Sequence, residues 1–147
     1  MAFHRCALLL LLALPVAPAS GRDYFVGANG DDSRSGSAAE PWRTLAKVNA
    51  TSLQPGDRVL LEGGRTLVGP LELGSDDRGT PARNIVVTSY GVGRAVIEGG
   101  NGRAVTVDGC DHVLLQRLKL VGAGRKTGNT SDGLYLAHST GSTVDQV

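Results

Sequence analysis

Several things are scarce in this chain, and each scarcity removes a class of protein. Two Phe, three Tyr and one Trp in 147 residues, with a formal net charge of +1, leave neither a basic stripe nor a set of stacking rings. That argues against a nucleic-acid binder, which normally shows both. Only two cysteines are present, so no disulfide framework holds the fold together. The longest apolar run, Ala7 to Leu14, falls far short of the ~20 residues a spanning helix needs. Helical periodicity is almost missing too: after residue 50 no stretch repeats its apolar residues at helical spacing.

Glycine is what the chain has in quantity, with 21 residues, and abundant glycine with few aromatics suits short strands joined by frequent turns. Met1 to Ala19 reads as an export signal: His4 and Arg5 begin it, the apolar run follows, and Ala17-Pro-Ala19 supplies small residues for cleavage. The mature protein is then expected to be secreted, extracellular or periplasmic, with no membrane attachment after cleavage. Cys6 leaves with that leader, and Cys110 is expected to be a small buried residue rather than a nucleophile.

The segment Ala104–Leu118 aligns without a gap on Gly133–Val147. Each copy opens on an alternating triplet, Val105-Thr-Val107 or Leu134-Tyr-Leu136, that sends two apolar side chains to one face and one residue to the other. A second strand with inward Val113, Leu115, Leu118 and Leu120 follows in the first copy, and Val144 and Val147 repeat it more weakly. Gly122–Asp132 lies between the copies as a loop. Short strands, tight turns and one longer excursion per repeat predict a coiled β-solenoid.

Upstream, Asp23–Val26 reads as a strand and Gly27–Ser37 as turn-formers. Trp42–Val48 reads as a short helix with Pro41 in its first position. Pro55-Gly56 has the residues of a type II turn. Val59–Leu61, Thr66–Val68, Leu71–Leu73, Ile85–Thr88 and Ala95–Ile97 read as strands.

Tyr24-Phe-Val-Gly-Ala-Asn-Gly-Asp-Asp-Ser, Pro41-Trp-Arg-Thr-Leu and Pro55-Gly-Asp-Arg-Val together resemble the N-terminal cap of secreted right-handed parallel β-helix proteins, the pectate-lyase-like superfamily. Asn84–Gly91 and Ala95–Gly100 resemble its first full coil. The resemblance implies an all-β, right-handed parallel β-helix with a short N-terminal capping helix, incomplete at the C-terminus. The division expected is a signal peptide over 1–19, a cap over 20–64 and first coils over 65–147. It further implies a polysaccharide partner and action as a lyase, epimerase or hydrolase on an acidic glycan. A non-catalytic carbohydrate-binding or adhesive solenoid stays open, as does the oligomeric state.

Asn129-Thr-Ser-Asp132-Gly133 is similar to the Asn-Thr-Asp-Gly segment of polygalacturonase-type hydrolases, apart from the additional Ser131, which makes Asp132 the catalytic candidate. Arg125 and Lys126 are candidates to neutralise a uronate carboxylate. Lys119, Tyr135 and Thr106 should form an outward strip beside His138, so Lys119, Tyr135 and His138 join the substrate-binding candidates. No cofactor or metal site is visible. Arg34 stands where a calcium loop starting at Asn29 needs glycine, which rejects an EF-hand; the resemblance leaves calcium for rungs outside this chain. Asn49 and Asn129 head N-glycosylation sequons.

Overall fold

The computed structural model describes residues 20–124 and 130–147, so the expected leader, Arg125, Lys126 and Asn129 lie outside the described residues. Among the described residues the protein is mostly β, with parallel sheets and one short helix. Its elements run β1 (Asp23–Val26), α1 (Leu45–Asn49), β2 (Arg58–Glu62), β3 (Thr66–Val68), β4 (Leu71–Leu73), β5 (Ile85–Tyr90), β6 (Ala95–Gly100), β7 (Val105–Asp108), β8 (Val113–Gln116), β9 (Leu118–Gly122), β10 (Leu134–Ala137) and β11 (Thr143–Asp145). No helix among the described residues is long and apolar enough to cross a membrane.

Three sheets form, in the orders β1-β2-β5-β8-β11, β3-β6-β9 and β10-β7-β4. The chain visits them in a fixed rotation: β2, β3 and β4 take one strand in each, and β5–β7 and β8–β10 repeat the circuit. All the strand pairs are parallel. The gapless alignment of the two C-terminal copies is the register itself, with Leu134 opposite Val105 and Val144 opposite Leu115.

Alternation explains the core. Inward positions stack in columns from strand to strand, such as Val59, Val87 and Leu115, all buried, and Leu71 above Val105. At the N-terminal end Trp42, Leu45, Val48 and Leu53 are buried over the first circuit. The Trp42 ring stacks on Tyr24 at 4.7 Å and its indole N–H donates to the Arg34 carbonyl at 3.0 Å. Gly36 has φ +81, and a Cβ there would come within 2.6 Å of that ring, so the loop can close over Trp42 only with glycine.

Two expectations need correction. The helix begins at Leu45 instead of Trp42, because Trp42 is tied into the sheet: its N–H donates to Phe25 O and its carbonyl accepts from Gly27 N–H. Asp32 then captures the Arg43 and Thr44 amides and the Thr44 hydroxyl, and Thr44 caps the helix by accepting from Lys47 N–H. The span Val113–Leu120 is two strands in different sheets, β8 and β9. Arg117, at φ 55, makes the bend. The Pro55-Gly56 turn forms as expected, with Gly56 at φ 94 and Asp57 N–H donating to Gln54 O.

Candidate functional site

On the β10-β7-β4 sheet the apolar residues of each triplet turn inward, leaving Glu72, Thr106 and Tyr135 as an aligned outer row. Asp108 and Ala137 form the next outer pair along the same strands. The edge of β4 is closed by Asn49 at the end of α1. Its side-chain amide donates to Pro70 O, and its carbonyl oxygen accepts from Glu72 N–H, both at 3.0 Å. A single asparagine thus does what a neighbouring strand would do. The amide nitrogen that a sequon glycan would require is the donor to Pro70.

Between the end of α1 and this outer row lies a cleft of about 490 Å³, lined among others by Thr51, Glu72, Asp76, Thr106 and Asp108. The adjoining turn is rigid because Asp77, nearly buried, accepts from Leu53 N–H at 2.8 Å and Gly74 N–H at 2.9 Å. Glu72 and Asp108 lie diagonally across neighbouring parallel strands on one face, which, with strands about 4.8 Å apart and a rise of about 3.3 Å per residue, spaces their Cα atoms about 8 Å apart.

The far flank, over β10, is different. His138 adopts φ 47 in the turn after β10, and its Nδ1 lies 2.7 Å from Asp108 Oδ1. The Arg103 guanidinium carbon sits 3.7 Å above the centre of the Tyr135 ring. Below the sheet, Asp111 anchors the next turn by accepting from the Thr140 amide and hydroxyl, which holds its carboxyl below the usual range. Cys110 is buried, and burial, followed by the Asp77 and Asp111 carboxylates, pushes its thiol up to about 12. A thiol so raised is no nucleophile at neutral pH.

The structure brings some of the expected residues together and separates others. Tyr135 and His138 share the β10 flank with Thr106. Lys119 does not: it lies in β9, opposite Val96 in another sheet, so the expected Thr106–Lys119–Tyr135 strip is not one strip. The parity change at the Arg117 bend is the reason. Asp132 is exposed just ahead of β10 and is not among the residues lining the cleft. Arg125 and Lys126 fall outside the described residues. No group of three or more potential ligands able to hold a metal ion occurs among the described residues.

Sequence reasoning missed Glu72, Asp108 and Arg103. The first two were accessible by laying the three alternating triplets over one another. Arg103 carries no such signal.

The chain matches no protein-family model. Over 76 residues it is 40% identical to a lacto-N-biosidase of Bifidobacterium longum subsp. longum, a match covering 49% of this chain and 5% of that protein. A crystal structure of the GH136 lacto-N-biosidase from Eubacterium ramulus superposes with a TM-score of 0.65 at 22% identity, covering 86% of this chain and 27% of that one. A rhamnogalacturonan lyase superposes with a TM-score of 0.52 at 22% identity, over 67% of this chain and 28% of its own. At that identity the two structural likenesses concern the fold alone. The relatives are a glycoside hydrolase and a polysaccharide lyase. This chain spans a small part of each.

Proposed function

We propose that the chain is part of a secreted, right-handed parallel β-helix protein that acts on polysaccharide, and that it holds the glycan against the outer face of β4, β7 and β10. The observation that carries this reading is the cleft itself. Glu72, Thr106 and Asp108, from two successive circuits of the chain, line it beside the end of α1. In a solenoid such a face suits an extended polymer, because each added rung adds a further contact.

The lacto-N-biosidase and rhamnogalacturonan lyase relatives support a glycan ligand. They support hydrolysis and elimination alike, and either would be carried out by the whole protein. Leu136 and Val144 continue columns that are buried in the preceding strands. In this reading α1 caps the N-terminal end of the β-helix and Met1 to Ala19 is an export signal.

The favoured chemistry is lyase, epimerase or hydrolase action on an acidic glycan. The second reading, a non-catalytic carbohydrate-binding solenoid, is favoured by Asp132 standing apart from the cleft. Incubating the full-length protein with pectate, alginate and chondroitin, while following both reducing ends and unsaturated products by absorbance, separates the two. Product from any of them supports the enzyme. Retained binding without product supports the binder, and absence of both binding and product rejects a glycan role on these substrates.

A further inference from the structure

Two exposed arginines are neutralised in the ordinary way. Arg34 pairs with Glu40 at 3.1 Å and Arg58 with Asp23 at 2.8 Å. Arg103 is different. It is exposed at the entry to β7 and, like the exposed Arg43, Arg94 and Arg117, takes part in none of the ion pairs among the described residues; what sets it apart is that its guanidinium carbon sits 3.7 Å over the ring of Tyr135, a residue of the next circuit. Asp132, just ahead of β10, makes no ion pair with it.

Stacking on a ring fixes the guanidinium plane while leaving its edge of N–H donors unused. That edge is the part that grips a carboxylate with two parallel hydrogen bonds. The ring face that would otherwise stack on a sugar is occupied by the guanidinium, so recognition at this flank is by charge. Asp108, on the same outer face, has its carboxylate against His138. Towards α1 the cleft carries Glu72 and Asp76 and no lysine or arginine, so a carboxylate-bearing sugar has one favourable end.

We propose that Arg103, oriented by Tyr135, is a subsite for the carboxylate of a uronic acid unit, at the β10 flank of the outer face. This rests on the glycan reading above and adds to it the charged group recognised and the residue that recognises it. The pair also sets direction: the acid unit lies over β10 and its uncharged neighbours over Thr106 and Glu72.

The test is a calorimetric titration of the whole chain with a trisaccharide carrying a single terminal uronic acid, its methyl ester and the matching neutral trisaccharide, for the native protein, Arg103→Gln and Arg103→Lys. A bidentate charged contact predicts that the acid binds about tenfold tighter than the ester. Arg103→Gln should abolish that preference and leave the ester's affinity unchanged, while Arg103→Lys keeps a reduced preference. Equal binding of acid and ester by the native protein, or a preference surviving in Arg103→Gln, overturns the subsite while leaving the glycan reading in place. Failure of all three sugars to bind the native protein overturns both. Arg103 is exposed, and an unchanged melting temperature in Arg103→Gln confirms that the fold is not what was lost.

Discussion

Leu73 and Leu136 occupy the same inward column, each opposite Val107, one strand below it and one above. Leu73 is 2% exposed and Leu136 44%. Sequence, strand geometry and facing are alike, so the difference comes from what lies on the far side of each. Leu73 has the buried N-terminal packing around α1, Val48 and Leu53; Leu136 has no strand beyond it among the described residues. An inward residue in this architecture is therefore buried by its neighbouring rung and not by its own strand.

That contrast can be broken by measurement. Leu73→Ala should lower stability by about 2–5 kcal/mol, the range for emptying a packed leucine site. Leu136→Ala should cost less than about 1 kcal/mol. Both are read from chemical denaturation, and comparable losses would mean that the last strands are packed as tightly as the first.

A second test compares the ties that hold the turns. Asp57 is buried and accepts from Arg22 N–H at 2.7 Å and Gln54 N–H at 2.9 Å. Asp57→Ala leaves both donors without a partner and should cost about 2–3 kcal/mol. Asp111 does the equivalent work near the last strands but is much more exposed, so Asp111→Ala should cost clearly less than Asp57→Ala.

The cap has its own pH signature. Burial acts to raise the Asp32 carboxyl, but hydrogen bonds from Thr44 and the Arg43 amide outweigh it and hold it below its ordinary value. A depressed folded pKa means the contribution is complete above the ordinary carboxylate range and fades as pH falls through the folded value. Asp32→Asn should therefore be less stable than the native protein near neutrality, by about 1 kcal/mol. The two should converge in strong acid, and a constant gap across pH would reject that role. The smallest effect expected is at Cys110: its thiol should resist alkylation at neutral pH and react once the chain is unfolded.

Much of this was legible in the chain. The triplets at 71–73, 105–107 and 134–136 announced inward and outward faces, and the alignment of the two copies was already the strand register. The bend at Arg117 was written in the parity change from Val113 and Leu115 to Leu118 and Leu120, which a single strand cannot bury together. What stayed hidden depended on partners distant along the chain. Asp32 reaches Thr44 across a loop and shortens the helix. Asn49 closes the edge of β4, and Arg103 meets Tyr135 only because one circuit stacks on the next. A one-dimensional pattern records which face a residue takes, not which neighbour it finds there.

The placement of the glycan is tested most directly by amide chemical-shift mapping on the isotope-labelled chain as an acidic oligosaccharide is added. Binding on the outer face of β4, β7 and β10 predicts saturable shifts at Glu72, Thr106, Asp108, Tyr135 and His138, with little change at Thr66, Val96 and Lys119. Shifts concentrated on β3, β6 and β9, or none at saturating sugar, would contradict it.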